Sequence, residues 1–309
     1  MKKIIARFLR SILPWRYYKL FANGWIVIPS YYKTILDDAE KYFDMSLGDS
    51  RGKDILMMRK MGHIIDKGLH REDAAPGHSR SIYNELKELV GRVAQTPYKD
   101  DPSYVWAASK LQAYELLQEH PDQFAPLHGD DGHCNMTYED FFALIRARRS
   151  NRDFEEKAVS DDVVLKLKNV VNWAASSCNK QPIRLFTTND PALASQCLKC
   201  CKGGTGFSAY IPSFWVFAAD SRGYVWPSEM FLPTLDTSLG AQNVFLAAQT
   251  LGISGTILSW AQKDEEEDRR LRQLLNIPEE YVIVFCSVMG YARRHFATPV
   301  RKNPENDSL

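Results

Sequence analysis

Three arginines and a serine lie close together near the middle of the chain. Residues 148–154 read Arg-Arg-Ser-Asn-Arg-Asp-Phe, so three guanidiniums and one hydroxyl fall within five positions. Arginine offers a planar fork of donors that suits a phosphate or a carboxylate. A solvated helix end has a similar composition, because cations are favoured near helix C-termini. The segment therefore predicts an anion site or, alternatively, a basic helix end.

A second polar segment follows about thirty residues later. Residues 174–182 read Ala-Ala-Ser-Ser-Cys-Asn-Lys-Gln-Pro. Short side chains and amides let the backbone approach a flat polar ligand closely, although the same residues also suit an ordinary connection between a helix and a strand. This loop is the second candidate for ligand binding.

The elements around these two segments alternate between helix and strand. Thr137 begins a helix that ends at the basic cluster, and Ser160 caps a second helix with two aspartates in its first turn. Short apolar runs between turn signals predict four strands. They lie at 183–188, 213–219, 255–260 and 281–289. Further helices are predicted at 238–250 and 263–275, and the alternation indicates a sheet covered by helices.

The first part of the chain has a different pattern. It is rich in aromatic residues, helical in periodicity, and lacks the alternation of a sheet. Helices are predicted at 2–13, 32–43, 53–67, 81–93 and 109–119. Prolines and glycines cluster between residues 121 and 132, which marks irregular backbone. We therefore expect a mainly helical N-terminal extension, residues 1–135, and a second domain, residues 136–309.

Four segments of the second domain resemble the FMN-dependent nitroreductase family. The arginine segment and the polar loop are similar to its Arg-Arg-Ser-x-Arg-x-Phe element and its Pro-Ser-Ser-x-Asn-x-Gln-Pro loop. Residues 236–253 resemble its central helix, with a Gln-Asn pair and a closing Leu-Gly. Residues 275–291 resemble its Leu-x-Ile-Pro segment and the Gly-Tyr beyond it. The resemblance covers residues 137–302, in family order.

The resemblance implies a fold and a cofactor. The fold would be α+β, a three-layer α-β-α sandwich around a mixed, mostly antiparallel sheet. The cofactor would be FMN, and no metal site is expected. By position, its phosphate and ribityl chain would meet Arg148, Arg149, Ser150 and Arg152. Its ring or ribityl edge would meet Ser176, Ser177, Asn179 and Gln181.

Two further groups of residues follow from the same resemblance. The backbone of Ile257, Leu258 and Ser259 would pass over the isoalloxazine. The Ser259 amide would donate to flavin N5, which makes Ser259 the catalytic candidate, because N5 exchanges the hydride. The family often places a Lys-x-Arg pair after its Gly-Tyr, and this chain lacks that spacing. Arg301 and Lys302 are the preferred replacements, and Arg293-Arg294 is the other basic pair.

The resemblance also implies an activity. The enzyme would pass hydride between NAD(P)H and a small organic acceptor, a nitroaromatic or quinone in vitro or a specialised biosynthetic intermediate in vivo. It would be a homodimer with FMN at the subunit interface. The alternative is a degenerate flavin-binding module that acts on a partner through the N-terminal extension.

Composition limits the other function classes. The 309 residues carry 39 basic and 38 acidic side chains, a net charge of +1, so no global field attracts nucleic acid. No apolar run is long enough to span a membrane, and we expect a cytoplasmic protein. Residues 2–13 form a basic amphipathic pattern that predicts either peripheral membrane contact or docking on the protein body.

Several cysteines, histidines and aromatic residues allow more than one interpretation. The cluster of Cys197, Cys200 and Cys201 could bind metal, act as redox thiols or simply pack in the core. The linker region offers another weak metal set. It comprises His128, Asp130, Asp131, His133 and Cys134. Three aromatic residues could form a lid over the flavin or pack within a loop, namely Tyr224, Trp226 and Phe231.

Overall fold

A computed structural model describes residues 51–129, 132–224, 229–260 and 263–301. Several sequence predictions lie outside these residues. They are the helices at 2–13 and 32–43 with the membrane contact, the acidic pair Asp130 and Asp131, and the residues Trp226 and Lys302. In the described part of the chain, no helix is both long and apolar enough to cross a bilayer. The cytoplasmic location stays a prediction.

Three helices form the described part of the N-terminal extension. They are α1 (Arg51–Leu69), α2 (Arg80–Val93) and α3 (Pro102–Glu119). Their apolar faces share one core that includes Met58, Leu86 and Tyr114. Helix α3 begins seven residues before the predicted start, because Pro102 fits the first turn, where no intrahelical amide donor is needed, and Asp101 caps it.

Five helices belong to the second part of the described chain. They are α4 (Tyr138–Ala147), α5 (Asp161–Val170), α6 (Pro191–Leu198), α7 (Leu232–Thr250) and α8 (Glu265–Leu275). Thr137 and Ser160 cap α4 and α5, as predicted for Ser160, and each accepts a bond from a backbone amide in the first turn. Helix α7 begins six residues earlier than predicted, with Pro233 in its first turn.

Four strands form a single sheet. They are β1 (Ile183–Thr188), β2 (Phe214–Asp220), β3 (Ile253–Ser259) and β4 (Tyr281–Tyr291). Their order is β1-β2-β4-β3, so β1 and β3 lie at the edges. Every pairing among these described strands is antiparallel. The parallel component of the predicted mixed sheet is therefore not among them.

Alternate residues of β2 face opposite layers. Phe214, Val216 and Ala218 pack into one core with residues of α6 and α8. Trp215 and Phe217 pack into a second core with residues of α5 and α7. Because β2 is buried on both faces, it reads as a continuous apolar run. The sheet thus lies between two helical layers, which confirms the predicted α+β sandwich.

Candidate functional site

A basic cavity of about 680 Å³ lies between the arginine segment and the C-terminal tail. Its walls come from residues 148–153, from the turn 206–208 and from residues 294–301. Five arginines line it together with one carboxylate, Asp153. They are Arg148, Arg149, Arg152, Arg294 and Arg301.

Backbone contacts fix the arginine segment against the sheet. Phe154 forms an isolated antiparallel bridge with Ala292, just beyond the end of β4. The Thr256 hydroxyl on β3 donates to the carbonyl of Asn151 at 2.5 Å. The Ser208 amide donates to the carbonyl of Arg152 at 2.8 Å. The residues after α4 are therefore held at the end of β4, where the tail begins.

Ion pairs and hydrogen bonds also join the tail to the arginine segment. Arg294 Nε donates to Asp153 Oδ2 at 2.5 Å, and the Arg293 amide donates to the Asp153 carbonyl at 3.0 Å. Arg149 Nη2 donates to Thr298 Oγ1 at 2.8 Å. These contacts assemble one wall of the cavity from two parts of the chain that are far apart in sequence.

The cavity is electropositive for a physical reason. Burial lowers the pKa of the Arg148 guanidinium, and the charges of Arg149 and Arg301 lower it further. The site is thus partly desolvated, and its arginine charges repel one another. An anion placed there would relieve the repulsion and accept charge-assisted hydrogen bonds. The anion-site interpretation of residues 148–154 stays a prediction, and it agrees with the arginine lining of the cavity.

The polar loop is anchored to α7 by one carboxylate. The amide and the hydroxyl of Ser177 both donate to Asp236 Oδ1, at 3.0 and 2.9 Å. Tyr224 donates to the other carboxylate oxygen at 2.7 Å. Asp236 is 1% exposed. Tyr224 is thus a buried anchor rather than an aromatic lid, whereas Phe231 is 73% exposed.

The backbone of this loop has an unusual conformation. Cys178, Asn179 and Gln181 all have positive φ, between 50° and 54°. Each such residue costs on the order of 1 kcal/mol unless its surroundings fix it. The Gln181 amide donates to Ser176 Oγ at 3.0 Å, and the Gln181 side chain donates to Asn179 Oδ1 at 3.0 Å. The loop is therefore held in one defined shape.

Exposed and buried residues alternate at the end of β3, as in a strand that is covered on one face. Ile257 is 54% exposed and Ser259 is also exposed, whereas Leu258 is 2% exposed and packs in the core with Cys197. Strand β3 is an edge strand, so one side of its backbone faces away from β4.

The structure brings together part of the predicted site. The cavity wall contains Arg148, Arg149, Ser150, Arg152 and Arg301. Among the residues that the structure describes, the same wall contains none from 176–181 or 257–259. Arg294, which the sequence offered only as the second-choice basic pair, also lines the cavity. The sequence did not predict that the turn with Phe207 and Ser208 lines the cavity. The available signal was Gly206, because glycine favours tight turns, and its φ is +79° in the structure.

The cysteine cluster behaves as core packing. Cys197, Cys200 and Cys201 are buried, and Cys286 on β4 joins them. Burial raises the pKa of Cys197 to about 12, which keeps the thiol protonated. No group of three or more potential ligands suits a metal ion within the described ranges.

The family model and two curated relatives that match this chain are nitroreductases by name. The model of the nitroreductase family matches residues 145–205 and 212–291. A protein of Archaeoglobus fulgidus, provisionally named NADH dehydrogenase/NAD(P)H nitroreductase, is 29% identical over 158 residues, which make up 50% of this chain and 87% of that protein. An oxygen-insensitive NADPH nitroreductase of Salmonella typhimurium is 25% identical over 157 residues, covering 48% and 64%.

Solved structures include a nitroreductase with bound FMN from Desulfitobacterium hafniense. It shares 20% identity, with a TM-score of 0.44, over 56% of this chain and 99% of that one. The match to the family model falls on the part of the chain that carries the four sequence segments. The chain therefore matches the nitroreductase family between residues 145 and 291, which confirms the resemblance. The extension lies outside the match.

Proposed function

We propose that the protein is an FMN-dependent oxidoreductase that passes hydride between NAD(P)H and a small organic acceptor. The observation that carries the proposal is the basic cavity, which five arginines and one carboxylate line. Membership of the nitroreductase family and the names of its relatives support the same activity. A screen of candidate acceptors would identify the acceptor as a nitroaromatic, a quinone or a biosynthetic intermediate.

The donors present fit the phosphate of FMN. Guanidiniums of Arg148, Arg152 and Arg301 supply charged donors, and Ser150 adds a hydroxyl at the mouth of the cavity. The crowding that lowers the Arg148 pKa would be relieved by a dianionic group. Arg149 already donates to the Arg148 carbonyl and to Thr298, so its role is to hold the wall as well as to add charge. Lys302, the last predicted phosphate ligand, lies outside the described residues.

The remaining predicted residues would act on the ring. Bound FMN would supply the hydride acceptor and donor of the reaction. Side chains of Ser176, Ser177, Asn179 and Gln181 would orient the polar edge of the ring, since the loop already holds one shape. The exposed backbone edge at Ile257 and Ser259 would provide the amide donor, which stabilises charge at the reacting nitrogen without an ionisable group.

A homodimer would complete this site. The loop 176–181 does not line the cavity of its own chain, and the loop of a second copy would bring ring donors to the phosphate donors. An apolar surface suited to self-association lies on α4 and α7, which contact each other. Its residues are 38–53% exposed, namely Phe141, Phe142, Ile145, Leu235 and Leu239. Exposed apolar patches of this kind mark interfaces.

The spectrum of the purified protein tests the proposal. A flavin absorbance band, with FMN released on heating at one per chain, is expected, followed by bleaching with NADH or NADPH under anaerobic conditions. Addition of a nitroaromatic or quinone should then restore the band. A colourless protein that FMN does not reconstitute would rule out the oxidoreductase and favour a binding module built on the extension.

A further inference from the structure

The helical extension contacts the polar loop directly. Helix α1 approaches both the loop at Ser177–Asn179 and the turn Ser221–Gly223. The approach is close, since a Cβ added at Gly52 would lie 2.2 Å from Nη2 of Arg222. Leu56 is 4% exposed, but it is not part of the core of the three helices. It packs beside Gly223. Helix α1 thus has one face in its own core and another on the nitroreductase domain.

One side chain on this second face joins three segments. Arg59 Nε donates to the Ser103 hydroxyl on α3 at 2.8 Å. Its Nη1 donates to the carbonyls of Lys180 and Gln181, at 3.2 and 3.4 Å. Burial lowers the pKa of Arg59, while Asp101 and Asp220 oppose that change. The guanidinium is therefore a partly desolvated cation whose donors are aimed at loop carbonyls, where each hydrogen bond is stronger than in water.

The carbonyls that Arg59 holds belong to the left-handed part of the loop. Cys178, Asn179 and Gln181 have positive φ, and Lys180 sits between them. Lys180 is fully buried, with Nζ 2.7 Å from Glu229 Oε1 and 4.5 Å from the centre of the Tyr224 ring. Asp236 holds the start of the loop through Ser177, and Arg59 holds its end. A loop with two fixed ends keeps a conformation that its residue types alone do not favour.

We propose that Arg59 is a positioning residue for the flavin loop, and that the N-terminal helices serve as a brace for the cofactor site. The inference rests on the proposed function, because the loop is taken to contact FMN. Loss of Arg59 would release the carbonyls of residues 180 and 181, so the loop would sample other shapes and bind FMN more weakly. The helical core itself would remain, since Arg59 is not part of it.

Amide hydrogen exchange in the FMN-free full-length protein tests the first half of the inference. The loop amides of residues 177 and 179–181 are hydrogen-bonded in the structure, so their exchange is measurable. Arg59→Met should raise exchange of the amides of residues 177–181 roughly tenfold, with helices α1 and α3 unchanged. Arg59→Lys should give an intermediate value, because lysine keeps the charge but not the fork.

Arg92→Met is the matched control. It removes the same charge from the same helical unit, where Arg92 is 61% exposed and lies 3.5 Å from Asp54. Its loop exchange and FMN affinity should equal those of the wild type. For Arg59→Met, FMN affinity measured by fluorescence titration should fall roughly tenfold, the loss expected for a charged hydrogen bond.

Each outcome decides between the alternatives. Unchanged loop exchange in Arg59→Met would overturn the inference whether or not FMN binds. An equal rise across the helices would show that Arg59 stabilises only the extension. If the wild type binds no FMN, the proposed function fails by itself. Faster loop exchange would then leave Arg59 as a loop clamp without a flavin role. Should Arg59→Met not fold, Ser103→Ala removes only the partner of Nε, and it should loosen the same amides to a smaller extent.

Discussion

Arg149 and Thr298 are separated by 149 residues in sequence and are joined by a hydrogen bond of 2.8 Å from Nη2 to Oγ1. The contact joins the arginine segment after α4 to the C-terminal tail, and both segments line the basic cavity. Neither residue is close to the other in any motif of the sequence. The cavity thus depends on how β4 and the tail after it return to the arginine segment.

The cavity arginines are expected to recognise phosphate rather than the flavin ring. Arg148→Gln should weaken FMN binding about tenfold or more, because a charged hydrogen bond in a desolvated site is lost. Binding of riboflavin, which lacks the phosphate, should not change. Fluorescence titration with the two ligands measures both values. Arg184 is an exposed arginine on β1, and the control Arg184→Gln should leave both affinities unchanged.

Asp236 is expected to contribute strongly to folding. Asp236→Ala would leave the amide of Ser177 and the hydroxyl of Tyr224 without their buried acceptor. The free energy of unfolding should fall by about 1–3 kcal/mol. Urea denaturation gives the value. Ser238→Ala on the same helix removes only a hydroxyl that donates to the Thr234 carbonyl, and it should stay within about 0.5 kcal/mol of the wild type. Equal effects of the two changes would contradict the anchoring role.

The thiols should fall into two classes. Cys134 and Cys178 are exposed, and the other four are buried. A disulfide reagent at pH 8 should therefore modify two thiols quickly and four only after unfolding, as counted by absorbance of the released reagent. Rapid reaction of a third thiol in the native protein would contradict the packing role of the cluster.

The same burial predicts how stability depends on pH. Desolvation raises the pKa of Cys197 from 9.0 to about 12, so between these values the folded protein binds more protons than the unfolded chain. The contribution of this thiol to the free energy of unfolding is fully present below pH 9 and falls as the pH rises towards 12. Urea unfolding at pH 8 and pH 10.5 should show the loss. Cys197→Ala should reduce the slope, and an unchanged slope would assign it to other groups.

The apolar surface on α4 and α7 should hold two copies together. Leu239→Glu places a charge in that surface, where Leu239 is 44% exposed, and should convert a dimer into monomers. Light scattering after size exclusion measures the mass. Val105→Glu adds the same charge at a 57% exposed position on α3 and should leave the dimer intact. A monomeric wild type would remove the basis for a site shared between subunits.

Local signals were enough to predict much of the second domain. The sequence predicts that a helix begins at Thr137 and that Ser160 caps the next one, because a hydroxyl before an apolar periodic run satisfies the first backbone amides. The strand at 183–188 was predicted with its observed bounds, since its ends coincide with turn residues. Boundaries at Pro102 and Pro233 were missed, because proline both ends one element and begins another.

The order of the four family segments determined the class of protein, and the composition of residues 148–154 predicted an anion-binding site there. Local sequence carries such information because capping, periodicity and donor type depend on neighbouring residues. Tertiary structure alone decided that Arg294 and Arg301 line the same cavity and that Cys286 joins the cysteine cluster. It also decided that Arg59 reaches the carbonyls of the polar loop 121 residues away. These contacts arise from packing between distant segments, which no spacing rule encodes.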